Sequence, residues 1–486
     1  MQLVTSSDLA ALLPVLLLSG TAMLVLVADL LFGKEGDEKV GLPFLTLAGT
    51  LSAIGALAAL WGRKEAAFGG SLLVDPLGLL ASAAICGATA VTALASVGYL
   101  SRRGANHGEY YALLLFAASG MVLLAMSGDL VMILLALETL SIAAYVLTGM
   151  ARESLRSNEA AIKYFILGAF ATAVLLFGMA LVYGATGSIR LDEIQARIGG
   201  AGEMMSLAHV GIGLMFVGFA FKIGAAPFHM WAPDAYEGAP SPVAGFMASA
   251  VKVAAFAALV RVLLKPFLPF ATQWGELAWW ISAITIVVGN LFAITQTNVK
   301  RLLAYSSIAH TGYALIGVAV ASVDRQAASG VMFYLVAYSV MTLGAFAVVS
   351  CLAREGGDVE DLSKWSGLAY RRPMIALAMT VFLVSLAGIP PTAGFVGKFT
   401  LFRDAVNRGF TGLALIGVLG TLLSLYYYLK VIMTMYMKEP AEEFQRTGPQ
   451  WGLHLAVGAT AIGTLALGIL PAFPLRLAIK SVQGLF

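Results

Sequence analysis

The stretch FKIGAAPFHMWAPDAYEGAPSPV (residues 221–243) sets a lysine, a histidine, two carboxylates and four prolines between long apolar runs. Pro227, Pro233, Pro240 and Pro242 each lack a backbone donor and clash with the carbonyl four residues back, so no uninterrupted helix crosses them. Yet the apolar text from 206 to 237 runs for about 32 residues, more than the roughly 20 that one membrane crossing needs. A half-helix, an unwound joint near 224–227 and a second half satisfy both constraints. Backbone freed at that depth is tolerated only where it is buried in protein or faces water.

The rest of the chain sets the same scale. Of 486 residues, 59% are hydrophobic and 12% charged, and the mean hydropathy is +0.87, outside the soluble range. Apolar runs of membrane-spanning length fall near 9–32, 41–61, 75–100, 110–127, 129–149, 159–184, 206–226, 241–264, 276–296, 300–320, 327–351, 373–390, 410–437 and 451–471. They are too long and continuous for barrel strands, so the fold class is an all-α polytopic membrane bundle of about 14 transmembrane helices. The longest polar stretches, 354–372 and 438–450, are too short for a globular domain, which places any soluble catalytic machinery on other chains. Cys86 and Cys351 lie in apolar runs and read as small hydrophobes. Asp8, and no basic segment, precedes the first run, so a retained span is expected rather than a cleaved signal.

Charge is distributed unevenly. Counted by alternate loops, fifteen of the 30 lysines and arginines (Lys34, Lys39, Arg102, Arg103, Arg152, Arg156, Lys163, Lys300, Arg301, Arg354, Lys364, Arg371, Arg372, Lys438 and Arg446) fall on one side and nine on the other. The positive-inside rule then places both termini outside. The remaining six, Lys222, Lys252, Arg261, Lys398, Arg403 and Lys430, lie within or at the ends of spans. Arg261, Arg403 and Lys430 stand near helix ends, where a long side chain snorkels to the interface. Lys222, Lys252 and Lys398 have no such exit, and a lysine at bilayer depth costs roughly 2.5–3.5 kcal/mol on insertion scales.

Among the acids, Asp129 reads as the N-cap of the fifth span, which leaves Glu138 mid-span as the buried carboxylate. A direct Glu138–Lys222 pair is the economical solution to two lone charges. At about 4 Å and an effective dielectric of 20 such a pair is worth roughly 4 kcal/mol. Desolvation drives both kinds of group toward neutrality and an opposite charge toward ionisation, so opening the pair would act as a gate. His229, just past the break, and His310, in YSSIAHTGY, lie in apolar context with hydroxyl neighbours. Each reads either as a proton relay or as a hydrogen-bonded structural histidine.

The broken-helix construction recurs in GIPPTAGFVGKF (388–399), where Gly388, Pro390, Pro391 and Gly394 interrupt the twelfth span just before Lys398. The two breaks lie five spans apart. A unit with an odd number of spans is inserted upside down relative to its copy, so spans 4–8 and 9–13 are expected to form two inverted five-helix repeats. Lys222 precedes its break and Lys398 follows its own, as inversion requires. Paired breaks of this kind point to an ion path; the competing reading is that the kinks only shape the bundle. The expected divisions are 1–108 (spans 1–3), 109–265 (spans 4–8), 266–438 (spans 9–13) and 439–486 (span 14).

Together with LALETLSIAAYVLTG (135–149) and NVKRLLAYSSIAHTGY (298–313), these two motifs identify a resemblance that covers nearly the whole chain. It resembles the antiporter-like membrane subunits of respiratory complex I, with the subunit N branch of bacterial NADH:quinone oxidoreductase, counterpart of mitochondrial subunit 2, the nearest. Subunit M and its equivalents in sodium/proton antiporters usually carry glutamate in place of Lys398, and subunit L has a long C-terminal extension. The resemblance implies proton translocation driven by quinone reduction elsewhere in the complex. It implies a pair formed by Glu138 and Lys222, a central lysine in Lys252 and an exit-side lysine in Lys398. It also implies that NADH, flavin (FMN), iron–sulfur clusters and quinone belong to the complex, with no cofactor bound by this subunit. The implied partners are other complex I membrane subunits and the lipid bilayer of the bacterial inner membrane, with no nucleic acid. The runner-up is a subunit of a multisubunit Na+/H+ antiporter or membrane-bound hydrogenase, and an inert scaffold is disfavoured because it gains nothing from desolvating these charges.

Overall fold

The computed structural model describes residues 5–32, 41–103, 105–200, 202–354, 357–440 and 451–485. Lys34, Lys39 and Arg446, part of the charge tally, lie outside the described residues. All fourteen expected apolar runs are helical. Among the described residues thirteen helices are long and apolar enough to cross a membrane: spans 1 to 6 are Ser6–Phe32, Gly41–Ala59, Pro76–Ser96, Gly108–Met126, Leu130–Thr148 and Leu155–Thr186. Span 7 is broken into Met205–Ile223 (7a) and Trp231–Gly238 (7b). Spans 8 to 11 are Ser241–Leu264, Ala271–Ile294, Val299–Ala321 and Ala328–Cys351, and spans 13 and 14 are Thr411–Met437 and Trp451–Ile469. The expected twelfth span is two shorter helices, Pro373–Ala387 (12a) and Ala393–Asn407 (12b). At 1.5 Å per residue, a helix of about 20 residues matches the ~30 Å hydrocarbon thickness.

Polar residues at the ends of the runs set the helix boundaries. Asp129 caps span 5 by accepting from the Met132 N–H at 2.7 Å, as its position suggests, and Asp75 caps span 3 through the Gly78 N–H at 2.8 Å. Both breaks begin with a left-handed glycine, Gly224 (φ +71°) and Gly388 (φ +82°), which turns the chain out of the helix without a Cβ clash. Pro227 and Pro391 then follow cis peptide bonds.

Spans 8, 10 and 11 form the centre of the bundle, with 100%, 94% and 89% of their apolar windows inside the protein, whereas spans 6 and 14 bury only a third. A charge buried within these three therefore depends on protein partners. Arg261 near the end of span 8 shows this, and it corrects the snorkelling expectation. The residue is 1% exposed, forms two hydrogen bonds to the Asp75 carboxylate and donates to the Ala125 carbonyl at 2.9 Å. Spans 3, 4 and 11 enclose span 8, so the side chain has no route to the interface and takes its counter-charge from the start of span 3. Asp75→Ala would strand a buried guanidinium, and a loss of about 3–5 kcal/mol is expected, to be read as a lowered unfolding temperature of the purified complex. Arg403 and Lys430 behave closer to expectation: Arg403 is half-exposed beside Asp404, and Lys430 is part-buried and reaches the Gln296 carbonyl.

Among the small elements that the apolar runs did not disclose, a hairpin pairs Glu65–Ala67 with Leu72–Val74, a short helix covers Leu191–Ile198, and another, Ala472–Gln483, follows span 14. Leu191, Ile194 and Ile198 are buried at helical spacing while the residues between them face outward, a period too short to register as a span.

On the side that carries most of the positive charge, the turns converge on Asp358. This buried carboxylate accepts from Tyr99 Oη at 2.9 Å, Ser241 Oγ at 2.6 Å and Lys300 Nζ at 2.9 Å, with Arg103 at 3.4 Å. Burial pushes its acid form up, but Lys300 and then Arg103 bring it below its ordinary value of 3.8. Its stabilisation is thus complete above that value and is lost as pH falls through the lowered one. Arg301 joins the same face to helix 7b through Asp234 and Glu237, both at 2.7 Å.

Candidate functional site

Four of the six residues singled out in the sequence line the interior. Lys222, Lys252 and Lys398 are each 3% exposed and His310 is 2% exposed. The ammonium groups are solvated mainly by neutral dipoles. Lys222 Nζ donates to Ser141 Oγ at 2.7 Å and lies 5.7 and 5.6 Å from the ring centres of Tyr145 and Tyr164. Lys252 Nζ donates to the Ser307 carbonyl (2.5 Å), Ser307 Oγ (2.6 Å) and Thr311 Oγ1 (2.7 Å), which uses its three protons. Lys398 Nζ donates to the Leu386 carbonyl at 2.9 Å and sits 4.5 Å from the Tyr313 ring centre.

The broken helices contribute directly. The carbonyls at a helix C-terminus lack intrahelical donors and carry the negative end of the helix dipole. Lys222 is in the last turn of 7a, and Lys398 reaches back from 12b to the last turn of 12a. The second break thus puts the carbonyl end of 12a beside the Lys398 ammonium, whereas the Lys222 ammonium meets Ser141 and two tyrosine rings. The joint of span 7 is closed by side chains from elsewhere: Trp231 Nε1 donates to the Phe221 carbonyl at 3.0 Å, Thr311 Oγ1 to the Ile223 carbonyl at 2.8 Å, and the Ala226 N–H to Thr285 Oγ1 at 3.0 Å.

Glu138 is half-buried and accepts from Thr172 Oγ1 at 2.7 Å. It does not form the direct ion pair with Lys222 that was expected. Span 6 packs against both spans 5 and 7 and places Thr172 against the carboxylate, while Ser141, one turn beyond Glu138, takes the ammonium. A cavity of about 10 Å³ lies beside Lys222, lined by Ser141, Thr172 and Lys222 but not by Glu138, which is about the space of one water. Glu138 is still the charge that acts on Lys222, but across a gap, so the direct-contact value of roughly 4 kcal/mol is an upper bound.

His310 sits between Lys252 and Lys398, and both act on its ring. Its Nδ1 is 2.5 Å from Tyr334 Oη and its Nε2 3.2 Å from Tyr428 Oη, which in turn meets Ser306 Oγ. Tyr313, under Lys398, continues through Asn290 (3.2 Å) to Tyr427 (3.1 Å). His229 stands apart. It is half-buried at the rim of the joint with Nδ1 unpaired, and among the described residues it bonds to none of the lysines.

The hydroxyls that solvate the lysines escaped the sequence reading, although a signal was present. Glu138, Ser141 and Tyr145 fall at i, i+3 and i+7, and Ser307, His310 and Thr311 at i, i+3 and i+4, each set on one helix face. Among the described residues no group of three or more His, Cys, Asp or Glu is placed to hold a metal ion.

Comparison with known proteins gives one answer. The family described as NADH:quinone oxidoreductase/Mrp antiporter, TM, matches residues 127–424. NADH-quinone oxidoreductase subunit N of Trichlorobacter lovleyi is 44% identical over 485 residues, covering 99% of this chain and 98% of its own. The subunit N of Chloroflexus aggregans is 42% identical over 468 residues, covering 96% and 95%. A chain of respiratory complex I from Thermus thermophilus with bound Aureothin superposes with a TM-score of 0.80 at 36% identity, over 96% of this chain and 99% of that one. A chain of the Mrp complex from Dietzia sp. DQ12-45-1b shares the fold at a TM-score of 0.87 but only 21% identity, over 99% and 98% of the two chains. Full-length similarity to these relatives, with the broken helices and their buried lysines in place, establishes that the chain belongs to the subunit N family of NADH-quinone oxidoreductase, within the antiporter-like membrane subunits of complex I.

Proposed function

We propose that this chain is the proton-translocating subunit N of a bacterial NADH:quinone oxidoreductase, moving H+ across the membrane while quinone is reduced elsewhere in the complex. One observation carries the reading: three ammonium groups sealed in the bundle interior, each solvated by hydroxyls, carbonyls and aromatic faces, with a carboxylate acting across a gap on only the first. An ammonium group held by neutral dipoles can give up its proton without leaving a buried carboxylate unpaired, which a tight salt bridge does not allow. NADH, FMN, the iron–sulfur clusters and quinone are assigned to other subunits, and adjacent antiporter-like and small helical subunits of the inner membrane are the partners. Both termini are assigned to the periplasmic side.

In this reading a proton loads Lys222 while Glu138 holds its charge, with Ser141 and the small cavity beside the ammonium on its route. Lys252 receives it next, and His310 with its tyrosines passes it to Lys398 and the opposite side. Spans 4–8 and 9–13 act as inverted halves, each supplying one broken helix. His229 is left out of the relay because it meets none of these groups. The antiporter alternative has less support, since the Mrp chain is 21% identical against 36% for the complex I chain. Affinity purification of the tagged chain from its own membranes tests the choice. Recovery with subunits that oxidise NADH is expected, and recovery with small membrane antiporter chains alone would overturn it.

A further inference from the structure

The hydroxyl of Thr311 is shared between two parts of the molecule. It accepts from Lys252 Nζ at 2.7 Å and donates to the Ile223 carbonyl at 2.8 Å, in the joint that follows Lys222. Among the described residues its other acceptor is the Ser307 carbonyl at 3.2 Å. A lysine ammonium has three donors and no acceptor, and here all three protons have acceptors. After one proton leaves, the amine keeps two N–H groups and gains a lone pair, and that lone pair requires a donor. The reachable candidates are the hydroxyls of Ser307 and Thr311. Of the two, Thr311 is the hydroxyl that also bonds to the joint.

We infer that Thr311 is a positioning residue that couples the protonation state of Lys252 to the joint of span 7. With Lys252 protonated, the Thr311 hydroxyl caps the Ile223 carbonyl and the end of helix 7a is closed. When the proton passes to the next acceptor on the path, the Thr311 O–H turns to donate to the Lys252 amine, and the Ile223 carbonyl loses its donor. The helix end that carries Lys222 then loosens, one residue from that lysine. Linkage makes the effect reciprocal, so opening the joint favours the deprotonated form of Lys252. The inference rests on Lys252 as a proton-carrying site. The titratable groups facing it are Tyr338, whose ring centre is 5.6 Å away, Tyr236 behind Ser307, and His310.

Hydrogen exchange by mass spectrometry on the assembled complex reads this directly, in the peptide covering residues 221–231. After correction for intrinsic exchange, protection of that peptide in the unaltered complex is expected to fall roughly two- to tenfold as rising pH removes the Lys252 proton, the scale of one lost hydrogen bond. Thr311→Val, which keeps the shape and removes the hydroxyl, is expected to give low protection at every pH, and Thr311→Ser to restore the step. Lys252→Arg, which keeps its charge, is expected to hold protection high throughout. A peptide with no pH step in the unaltered complex, or a Thr311→Val complex that keeps the step, would overturn the coupling. Proton pumping by Lys252→Met reports separately on Lys252 itself, so the two ideas can fail independently.

Discussion

Replacing Lys252 with methionine is expected to cut NADH-driven proton translocation at least about tenfold while leaving NADH oxidation by a soluble artificial acceptor unchanged. A positioned proton-transfer group is worth roughly 10²–10⁴-fold in rate, and the lower figure allows for paths through neighbouring subunits. Lys252 is the centre of the arrangement, on a span whose apolar window is wholly inside the protein. The substitution also leaves Ser307 and Thr311 facing a methyl group, at a cost of about 1–3 kcal/mol for each buried polar group left unsatisfied. Two measurements separate these effects. Loss of pumping with normal assembly and unchanged artificial-acceptor activity assigns the defect to proton transfer, whereas loss of the whole complex from the membrane assigns it to folding.

Gly394→Ala is the second large effect. A Cβ at Gly394 would overlap the Ser385 carbonyl oxygen, a backbone atom that cannot swing away, and would press on Met341 Sδ. The Gly394 N–H also donates to Ser385 Oγ at 3.1 Å, which ties 12b to 12a across the break. Lys398 stands one turn further along the same face of 12b, so separating the two half-helices draws its ammonium away from the Leu386 carbonyl. Overpacking of this kind costs typically 1–3 kcal/mol, and a pumping rate several-fold lower is expected. Gly55→Ala is the control: it lies mid-helix in span 2 with nothing within 4 Å of the added Cβ, and unchanged or slightly raised thermal stability is expected. Equal rates for the two variants would show that the break tolerates a wider gap than its packing suggests.

The sequence revealed most of the architecture because membrane solvation leaves few alternatives. Fourteen apolar runs became fourteen helical crossings or broken crossings, and the prolines of 227–242 and 390–391 located both breaks. The locations of Lys222, Lys252 and Lys398 were legible for the same reason, since a lysine flanked by apolar residues on both sides has no interface within reach. What stayed hidden depended on helix neighbours. Glu138 and Lys222 were matched by charge alone, and nothing in the one-dimensional text shows that Thr172 of span 6 takes the carboxylate while Ser141 takes the ammonium. Arg261 read as a snorkelling end residue because its distance along the helix was visible and its enclosure by spans 3, 4 and 11 was not. Hydroxyls are common in membrane helices, so Ser307 and Thr311 became meaningful only once Lys252 was found to point at them.

The central claim is that the buried lysines take up and release protons rather than hold fixed charge, and Lys222→Arg tests it most directly. Arginine keeps the positive charge beside Ser141 and Glu138 but does not readily give up a proton. The measurement is the number of protons translocated per NADH oxidised by the assembled complex in sealed vesicles. A clear fall in that ratio, or a matching fall in coupled NADH oxidation, is the expected result, and an undiminished ratio at an undiminished rate would contradict the titrating role of Lys222.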